Sequence, residues 1–571
     1  MLTFDDFIPF LGAFGPYQRR VLFLACIIVI PNSFHVFAQV FFGATTDHWC
    51  SNPRQWKDNC STWGFNTTRE CEEAKKAVII PPGAKCSRYD LAFDSVDFSA
   101  DLNATDYTNI TSGCEDGWTY DRSQYTRTII HDFDLVCDRA FLPDIALSVF
   151  GVGPVVGTFV FGWFSDWNGR RPAMFIGVIS IAIFGTILAF SVNYAMYITI
   201  RFFIGMANTG LYLATFVWAT EFVGPSKRTM VGVFIANAWA VGYMLLSVLA
   251  YFFRDWRTLE LVISVPMFLY LFLIPFFPES ARWLLSKGDI EKARPVIEKA
   301  ATCGNIVLPE SIFEECDDKL TKEDEAEDNI TTTGKTLSLI DIMRYPNMRW
   351  RTLNMMFNWW VNSMVYYGLS LSTSSFGVND YLAAFVSAAV EIPAYTSSLF
   401  VIEKWGRRVP VCVYLVVSGV ACIMTTCIPV GIWKTCVAMI GKFSISASYG
   451  VIYIYATELF PTPVRSSGLG ACCMASELSG IVTPLILTLG LLIWGPLPLL
   501  IFGGAAVIAG ILTLLFPETM GEPLQETMEE SEAFGKKKKG PSIGVADYDR
   551  LSPTDRSEDK TSPANEDDCA C

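Results

Sequence analysis

Charge is what this chain has least of. Only 18% of its 571 residues are Asp, Glu, Lys or Arg, where a water-soluble domain carries about a quarter. Four stretches contain none at all: Val21 to Thr46, Ala173 to Ile200, Phe202 to Thr220 and Thr229 to Phe253. Each reaches the roughly 17 to 25 residues that cross a ~30 Å hydrocarbon core, which excludes a soluble globular protein. Basic charge is short as well, since 43 Lys and Arg stand against 57 Asp and Glu for a net charge of −14. Phosphate backbones require a basic patch, so nucleic acid is set aside as a partner. There are three histidines, His35, His48 and His131. The chain has no His-Glu-x-x-His, Walker loop or Gly-x-Ser-x-Gly, so no enzyme activity, catalytic residue, metal or cofactor is expected.

What the chain has is apolar length: 51% hydrophobic residues and a mean hydropathy of +0.35. Apolar runs fall near 21–43, 142–164, 173–193, 197–218, 230–252 and 261–277, then near 352–373, 380–401, 409–431, 435–456, 467–490 and 494–516. A spanning segment must satisfy its backbone hydrogen bonds internally, so these predict about twelve transmembrane helices. A seven-helix receptor is excluded by that count, and a channel would need a pore loop between spans.

Between the first two runs lies a polar segment with Cys50, Cys60, Cys71, Cys86, Cys114 and Cys137 and four N-x-S/T acceptors at Asn59, Asn66, Asn103 and Asn109. An even cysteine count beside glycosylation sequons predicts an extracellular, oxidised loop, with fifteen pairings open. The fifth sequon, at Asn329, falls on the opposite side and is expected to go unused. With the large loop outside, Arg19-Arg20, Arg170-Arg171, Lys227-Arg228, Arg349 with Arg351, Lys404 with Arg407-Arg408, and Lys536 to Lys539 all fall inside, as the positive-inside rule asks. Arg254-Asp255-Trp256-Arg257 breaks the pattern. The first span is expected to act as its own targeting signal.

The expected organisation is a cytoplasmic N-terminus (1–20), an N-terminal six-helix bundle (21–277) including the glycosylated loop 44–141, a cytoplasmic loop (278–350) with short helices from Ile290, a C-terminal bundle (351–520) and a disordered cytoplasmic tail (521–571). Both termini are therefore cytoplasmic in a multi-pass protein of the plasma membrane.

An internal repeat supports the two halves. Asp166-Trp-Asn-Gly169-Arg170-Arg171 recurs as Glu403-Lys-Trp-Gly406-Arg407-Arg408, an offset of 237. Ala219-Thr220-Glu221 with Arg228 recurs as Ala456-Thr457-Glu458 with Arg465 at the same offset, and Pro278-Glu279-Ser280 recurs as Pro517-Glu518-Thr519 at 239. Parallel halves related by an axis along the membrane normal suit a transporter that exposes a central site alternately to either side. Asp166 and Glu403 with their neighbouring arginines, and Glu221 and Glu458 with Arg228 and Arg465, are expected to form a cytoplasmic gate of ion pairs.

Gly162-Trp-Phe-Ser-Asp166-Trp-Asn-Gly169-Arg170-Arg171-Pro172 resembles the loop signature of the major facilitator superfamily. Pro278-Glu-Ser-Ala-Arg-Trp-Leu-Leu285, Thr220-Glu-Phe-Val-Gly-Pro225, Glu458-Leu-Phe-Pro-Thr462 and the cysteine loop resemble the organic cation, anion and carnitine transporter family, from Phe10 to about Pro523. Pro31-Asn32 and Glu391-Ile-Pro-Ala-Tyr395 look closer to the carnitine/cation branch than to the anion branch.

An intramembrane charge costs about 2.5 to 3.5 kcal/mol and marks a candidate site. Glu477 lies twelve residues from Arg465, and Glu391 twelve from Glu403; at 1.5 Å per residue each sits about 18 Å in, near the midplane. Lys442, sixteen residues before Glu458, lies further outward, and Arg201 lies near the outer boundary. Two carboxylates against one lysine leave one negative charge for a cationic substrate to balance, unless one carboxyl is protonated or paired. The resemblance implies the same for Glu477, since the segment before Gly480-Ile-Val-Thr-Pro484 is acidic in the family's cation transporters and carries arginine in its anion and carnitine members. Cations bind over aromatic faces. Tyr366 and Tyr367 match the family's cavity-facing segment and Tyr212 an aromatic cavity position; Trp359, Trp360, Tyr449 and Tyr453 are weaker candidates. Asn32 is a polar candidate beside Pro31. His35, inside the first span, is either a proton relay or a hydrogen-bonding partner for a neighbouring helix.

The expected function is a polyspecific carrier of organic cations driven by the membrane potential. The alternative is sodium-coupled uptake of a zwitterion such as carnitine, with Lys442 receiving its carboxylate. Besides substrate, the lipid bilayer is the partner expected. Oligomeric state stays open, since loop cysteines can pair within or between chains.

Overall fold

A computed structural model describes residues 7–12, 14–51, 76, 80–81, 83–89, 111–304, 306, 339–522, 525 and 527–535. Among them, ten helices are long and apolar enough to cross a bilayer. Two more, Pro346–Leu371 and Leu497–Thr513, complete two sets of six. The first set is α1 (Pro16–Phe37, extended by Gln39–Phe42), α2 (Leu142–Asn168), α3 (Arg170–Ala189), α4 (Tyr194–Glu221), α5 (Pro225–Phe252) and α6 (Trp256–Ser264, tightening into a 3-10 helix over Val265–Phe276). The second is α7 (Pro346–Leu371), α8 (Asp380–Trp405), α9 (Arg408–Cys427), α10 (Ile432–Leu459), α11 (Arg465–Leu492) and α12 (Leu497–Thr513). The protein is therefore an all-α membrane protein of two pseudo-symmetric bundles.

Packing repeats with the sequence. α2 lies on α4, α3 on α4 and α1 on α5; in the second half α8 lies on α10, α9 on α10 and α7 on α11. The halves meet along α2 against α11 and α5 against α8, where Gly151 lets backbones touch: a Cβ there would stand 2.7 Å from the Gly480 carbonyl. α7 is less apolar than its neighbours because Asn354, Asn358 and Asn362 share one face at four-residue spacing. Their amides bond up the ladder, Asn358 Nδ2 to Asn354 O at 3.0 Å and Asn362 Nδ2 to Asn358 O at 2.9 Å. Asn354 also donates to Leu512 O and Thr513 to Asn358 Oδ1, both at 2.9 Å, tying α7 to α12.

At one end of the bundles sits the cysteine segment, clipped by Cys50–Cys114 and Cys86–Cys137. Two short antiparallel ladders, His48–Cys50 with Trp118–Tyr120 and Arg88–Tyr89 with Thr111–Ser112, organise it. Cys60, Cys71 and the acceptors Asn59, Asn66, Asn103 and Asn109 lie outside the described residues, as does the acidic run 317–328. The arginine that broke the charge pattern has a structural use here. Arg257 donates to Asp132 at 2.9 Å and to the carbonyls of Ala189 and Ser191 at 2.7 Å each, pinning the segment onto α3 and α6.

The opposite end carries the repeated motifs, the helix expected from Ile290 (Ile290–Cys303), a short helix before it (Ala281–Ser286) and part of the tail. The expectation of a disordered tail from 521 needs correction over 527–535. A helix at Met528–Ala533, capped by Thr527, docks on α7: the Glu532 carboxylate accepts from the N–H groups of Asn347 and Met348 at 3.0 to 3.1 Å, and Arg351 donates to Ser531 O at 2.7 Å. A carboxylate at the helix N-terminus satisfies donors the helix cannot.

Candidate functional site

A cavity of about 280 Å³ lies between the halves, lined by α1, α2, α4, α5, α7, α8, α10 and α11. Its roof, toward the disulfide end, is closed by contacts between halves. Phe37 stacks on Tyr243 at 3.9 Å and meets Tyr366 edge-on at 6.5 Å. Above it Tyr125 donates to Asp380 at 2.9 Å, Tyr381 to Gln124 O at 3.1 Å, and Phe41 stacks on Tyr381. Ser148 and Thr488 add bonds between α2 and α11. In the other direction the lining runs down to Arg228, Thr229 and Ile454, near the motif ends of α5 and α10. The cavity is thus closed toward the disulfides and reaches the motif end.

Among the described lining residues Glu477 is the sole acid. Its carboxylate makes no ion pair with any described cation, and Tyr212, Tyr367, Tyr449 and Tyr453 lie within Coulombic reach of it. Tyr449 is held by a 2.6 Å bond to Ser476, Tyr453 packs 4.3 Å from Trp359, and Tyr212 meets Trp239 edge-on at 5.3 Å. Tyr212, Tyr366, Tyr367, Tyr449 and Tyr453 all line the cavity; Trp359 and Trp360 do not. The arrangement offers one negative charge inside an aromatic cage, the chemistry that retains a desolvated organic cation.

Three expected substrate residues are placed elsewhere. Glu391 Oε1 lies 2.8 Å from Lys442 Nζ, with Lys442 also bonded to Ser370 Oγ at 2.5 Å and stacked 3.4 Å over the Tyr366 ring. Both charged groups are sealed behind Tyr366, whose hydroxyl donates to Glu391 Oε2 at 3.0 Å, and neither lines the cavity. A buried lysine and a buried carboxylate in reach of each other pair rather than each facing hydrocarbon or cavity alone. Asn32 is likewise consumed, exchanging bonds with Asn208: Asn32 Nδ2 donates to Asn208 O at 3.2 Å, and Asn208 Nδ2 donates to Asn32 Oδ1 at 2.8 Å. Asn208, not Asn32, reaches the cavity. Trp239 and Tyr395 line it too and were missed; apolar context hides an aromatic's direction until the helix rotation is known.

The gate residues form ion pairs with a different partnering. Arg170 binds Asp166 at 2.6 Å and Glu221 at 3.0 Å; Arg407 binds Glu458 at 2.8 Å. Glu221 does not meet Arg228, which lines the cavity mouth, and Glu458 does not meet Arg465, which donates to Phe460 O and Thr462 Oγ1. Each glutamate ends its helix facing the start of α3 or α9, so the motif arginine is nearer. Glu403 is exposed and forms no ion pair among the described residues, while Arg171 Nη2 reaches Ile274 O at 3.0 Å.

The repeat's third element supplies what was missed. Glu279 accepts from the N–H groups of Arg170 and Arg171, and Glu518 from those of Arg407 and Arg408, all at 2.8 to 3.3 Å. Each carboxylate sits under the N-terminus of α3 or α9. Gly169 and Gly406 precede these helices at φ +103° and +77°, and a Cβ there would stand 2.4 Å from Glu279 Oε2 or 2.6 Å from Glu518 Cδ. Burial raises the Glu279 carboxyl above the usual range, against the N–H bonds that lower it. The co-repetition of Gly-Arg-Arg with Pro-Glu at nearly one offset was the available signal.

Fold and cavity define a membrane transporter of the major facilitator class. The family described as Sugar (and other) transporter matches residues 117–530. An organic cation transporter protein of Drosophila melanogaster is 39% identical over 538 residues, covering 94% of this chain and 96% of its own. Organic cation/carnitine transporter 2 of Mus musculus is 33% identical over 537 residues, covering 93% and 94%. The chain belongs to the organic cation/carnitine transporter family, a family of transporters rather than enzymes. The inward open xylose transporter XylE from E. coli shares the fold, with a TM-score of 0.55 at 15% identity, covering 90% of this chain and 99% of that one.

Proposed function

We propose that this protein is a polyspecific plasma-membrane carrier of organic cations, working by alternating access and driven by the membrane potential. The observation that carries this reading is Glu477, the unpaired carboxylate among tyrosines in the central cavity. An aromatic cage around one charge selects for positive, partly apolar ligands and tolerates varied shape, because stacking has little directional demand. The disulfide segment is extracellular and bears N-glycans, and both termini are cytoplasmic. On that orientation the structure is an inward-facing state, its roof closed and its cavity reaching the cytoplasm. The ion pairs at Arg170 and Arg407 lie within their own halves, so each holds three helices of one half together as a rigid body during rocking. Sodium-coupled uptake of a zwitterion is disfavoured, because Lys442, its expected carboxylate partner, is spent on Glu391.

The test is uptake of labelled tetraethylammonium and labelled carnitine, with and without sodium, by wild type and Glu477→Gln at equal surface expression. Sodium-independent tetraethylammonium uptake that rises with inside-negative potential and is lost in the variant supports the carrier. Sodium-dependent carnitine uptake that survives the substitution overturns it.

A further inference from the structure

The disulfide segment is fastened to the first half and bonded to the second. Residues 124–127 run beside the turn between α5 and α6. There the N–H groups of Thr126 and Arg127 donate to Arg254 O at 3.1 and 3.4 Å, and the Trp256 N–H donates to Arg127 O at 3.1 Å. A few residues on, Asp132 accepts from Trp256 Nε1 at 3.0 Å and from Arg257 Nε at 2.9 Å, beside the buried Ile129 and Ile130. This stretch therefore moves with the first half.

From that anchor two bonds cross to the start of α8. Tyr125 donates to Asp380 Oδ2 at 2.9 Å, and Tyr381 donates back to Gln124 O at 3.1 Å. Both tyrosines are buried, and their ring centroids lie 5.4 Å apart. Tyr381 also meets Phe41 of α1 at 5.7 Å and Tyr251 of α5 at 5.8 Å. One ring of the second half is thus seated among three rings of the first, with a polar bond on either side of the seam.

The placement decides what these contacts do. The ion pairs of Arg170 and Arg407 join helices of one half and survive rocking, whereas the bonds of Tyr125 and Tyr381 join one half to the other and must break before the roof parts. α8 connects the two events, since its first turn sits in this socket and its Tyr395 lines the cavity. Water replaces the lost partners once the socket opens, so each bond biases the equilibrium by its net worth alone.

We propose that Gln124 and Tyr125 of the disulfide segment, with Asp380 and Tyr381 of α8, form a latch between the halves that holds the roof shut and sets the share of molecules open on the disulfide side. The segment is then a moving part of the gate on that side. The latch rests on the alternating-access reading.

The test places a reporter, Val36→Cys, in the cavity lining beside Phe37. Its labelling by a membrane-impermeant methanethiosulfonate added outside intact cells is timed, and the chain without Val36→Cys gives the background from its own cysteines. Tyr125→Phe and Tyr381→Phe each remove one latch hydroxyl and should each speed labelling about two- to tenfold, the range that the net worth of one hydrogen bond allows. Tyr120→Phe is the control, because Tyr120 donates to Asp134 inside the same segment at 2.9 Å and crosses no seam; it should label at the reference rate. No acceleration in either latch variant at normal surface expression overturns the proposal, and so does equal acceleration in Tyr120→Phe, which would mean that any loosening of the segment suffices. Tetraethylammonium uptake measured in the same cells separates the two readings. Its half-saturating external concentration should fall by a similar factor in the latch variants and not in Tyr120→Phe, because apparent affinity scales with the share of the competent state. Failure of every form to carry tetraethylammonium, with the labelling pattern as expected, would strike the cation reading and support the latch.

Discussion

Glu391 and Lys442 face each other at 2.8 Å in the middle of the second half, both sealed from the cavity by the ring and hydroxyl of Tyr366. The pair cancels one of the two buried carboxylates and leaves the other, Glu477, unpaired in the cavity. It also occupies one face of Tyr366, so only the other face is open to the cavity.

That sealing predicts an asymmetric response to mutation. Glu391→Gln or Lys442→Met alone leaves a buried charge without its partner and should cost about 3 to 5 kcal/mol. Replacing both by methionine should recover most of the loss. Thermal unfolding in detergent measures this, and equal instability of double and single variants would show that the pair is not the unit.

At Glu477, substitution by Gln should lower tetraethylammonium uptake at least about tenfold while leaving unfolding temperature nearly unchanged, since the group has no protein partner to lose and a ~1.4 kcal/mol effect on binding is already tenfold. Glu477→Asp keeps the charge and should retain partial uptake with an altered ranking of cations by size. Concentration-dependent uptake of tetramethyl-, tetraethyl- and tetrapropylammonium checks both.

Gly169→Ala and Gly406→Ala should each destabilise by about 1 to 3 kcal/mol, because alanine is strained at positive φ and its methyl would displace a carboxylate from a helix N-terminus. Transport should fall with stability in both halves. A Gly169→Ala protein as stable as wild type would show that Glu279 is not confined there.

His131 of the disulfide segment gives a pH prediction. Its Nδ1 accepts from the Thr128 N–H, which fixes the neutral tautomer with the hydrogen on Nε2, and Nε2 donates to Thr46 Oγ1 at 2.8 Å. Burial, then the charge of Arg122, pushes its pKa down to about 4. The unfolded chain takes a proton near 6.5 and the folded one only near 4, so its contribution is whole above about 6.5 and is lost as pH falls toward 4. The side chain is partly open to solvent, which limits the loss to about 1 to 2 kcal/mol. Amide protection factors in residues 128–134, taken relative to the intrinsic exchange rate at each pH, should fall between pH 7 and 5, and not in His131→Gln.

Sequence alone determined the number of spans and the two halves, because these follow from quantities local to the chain: apolar run length and an offset between repeats. The charge balance of the second half was legible in the same way, and so were the cysteines of the loop. Rotation and partner choice were not. Whether Lys442 meets Glu391 or a substrate, whether Asn32 or Asn208 faces the cavity, whether Glu221 takes Arg170 or Arg228, and that Glu279 seats beneath Gly169, depend on how helices distant in sequence pack. In an almost uniformly apolar helix no amphipathic stripe marks the buried face. Only the assembled bundle decides which polar atoms find each other and which of the two carboxylates, Glu391 or Glu477, is left unpaired.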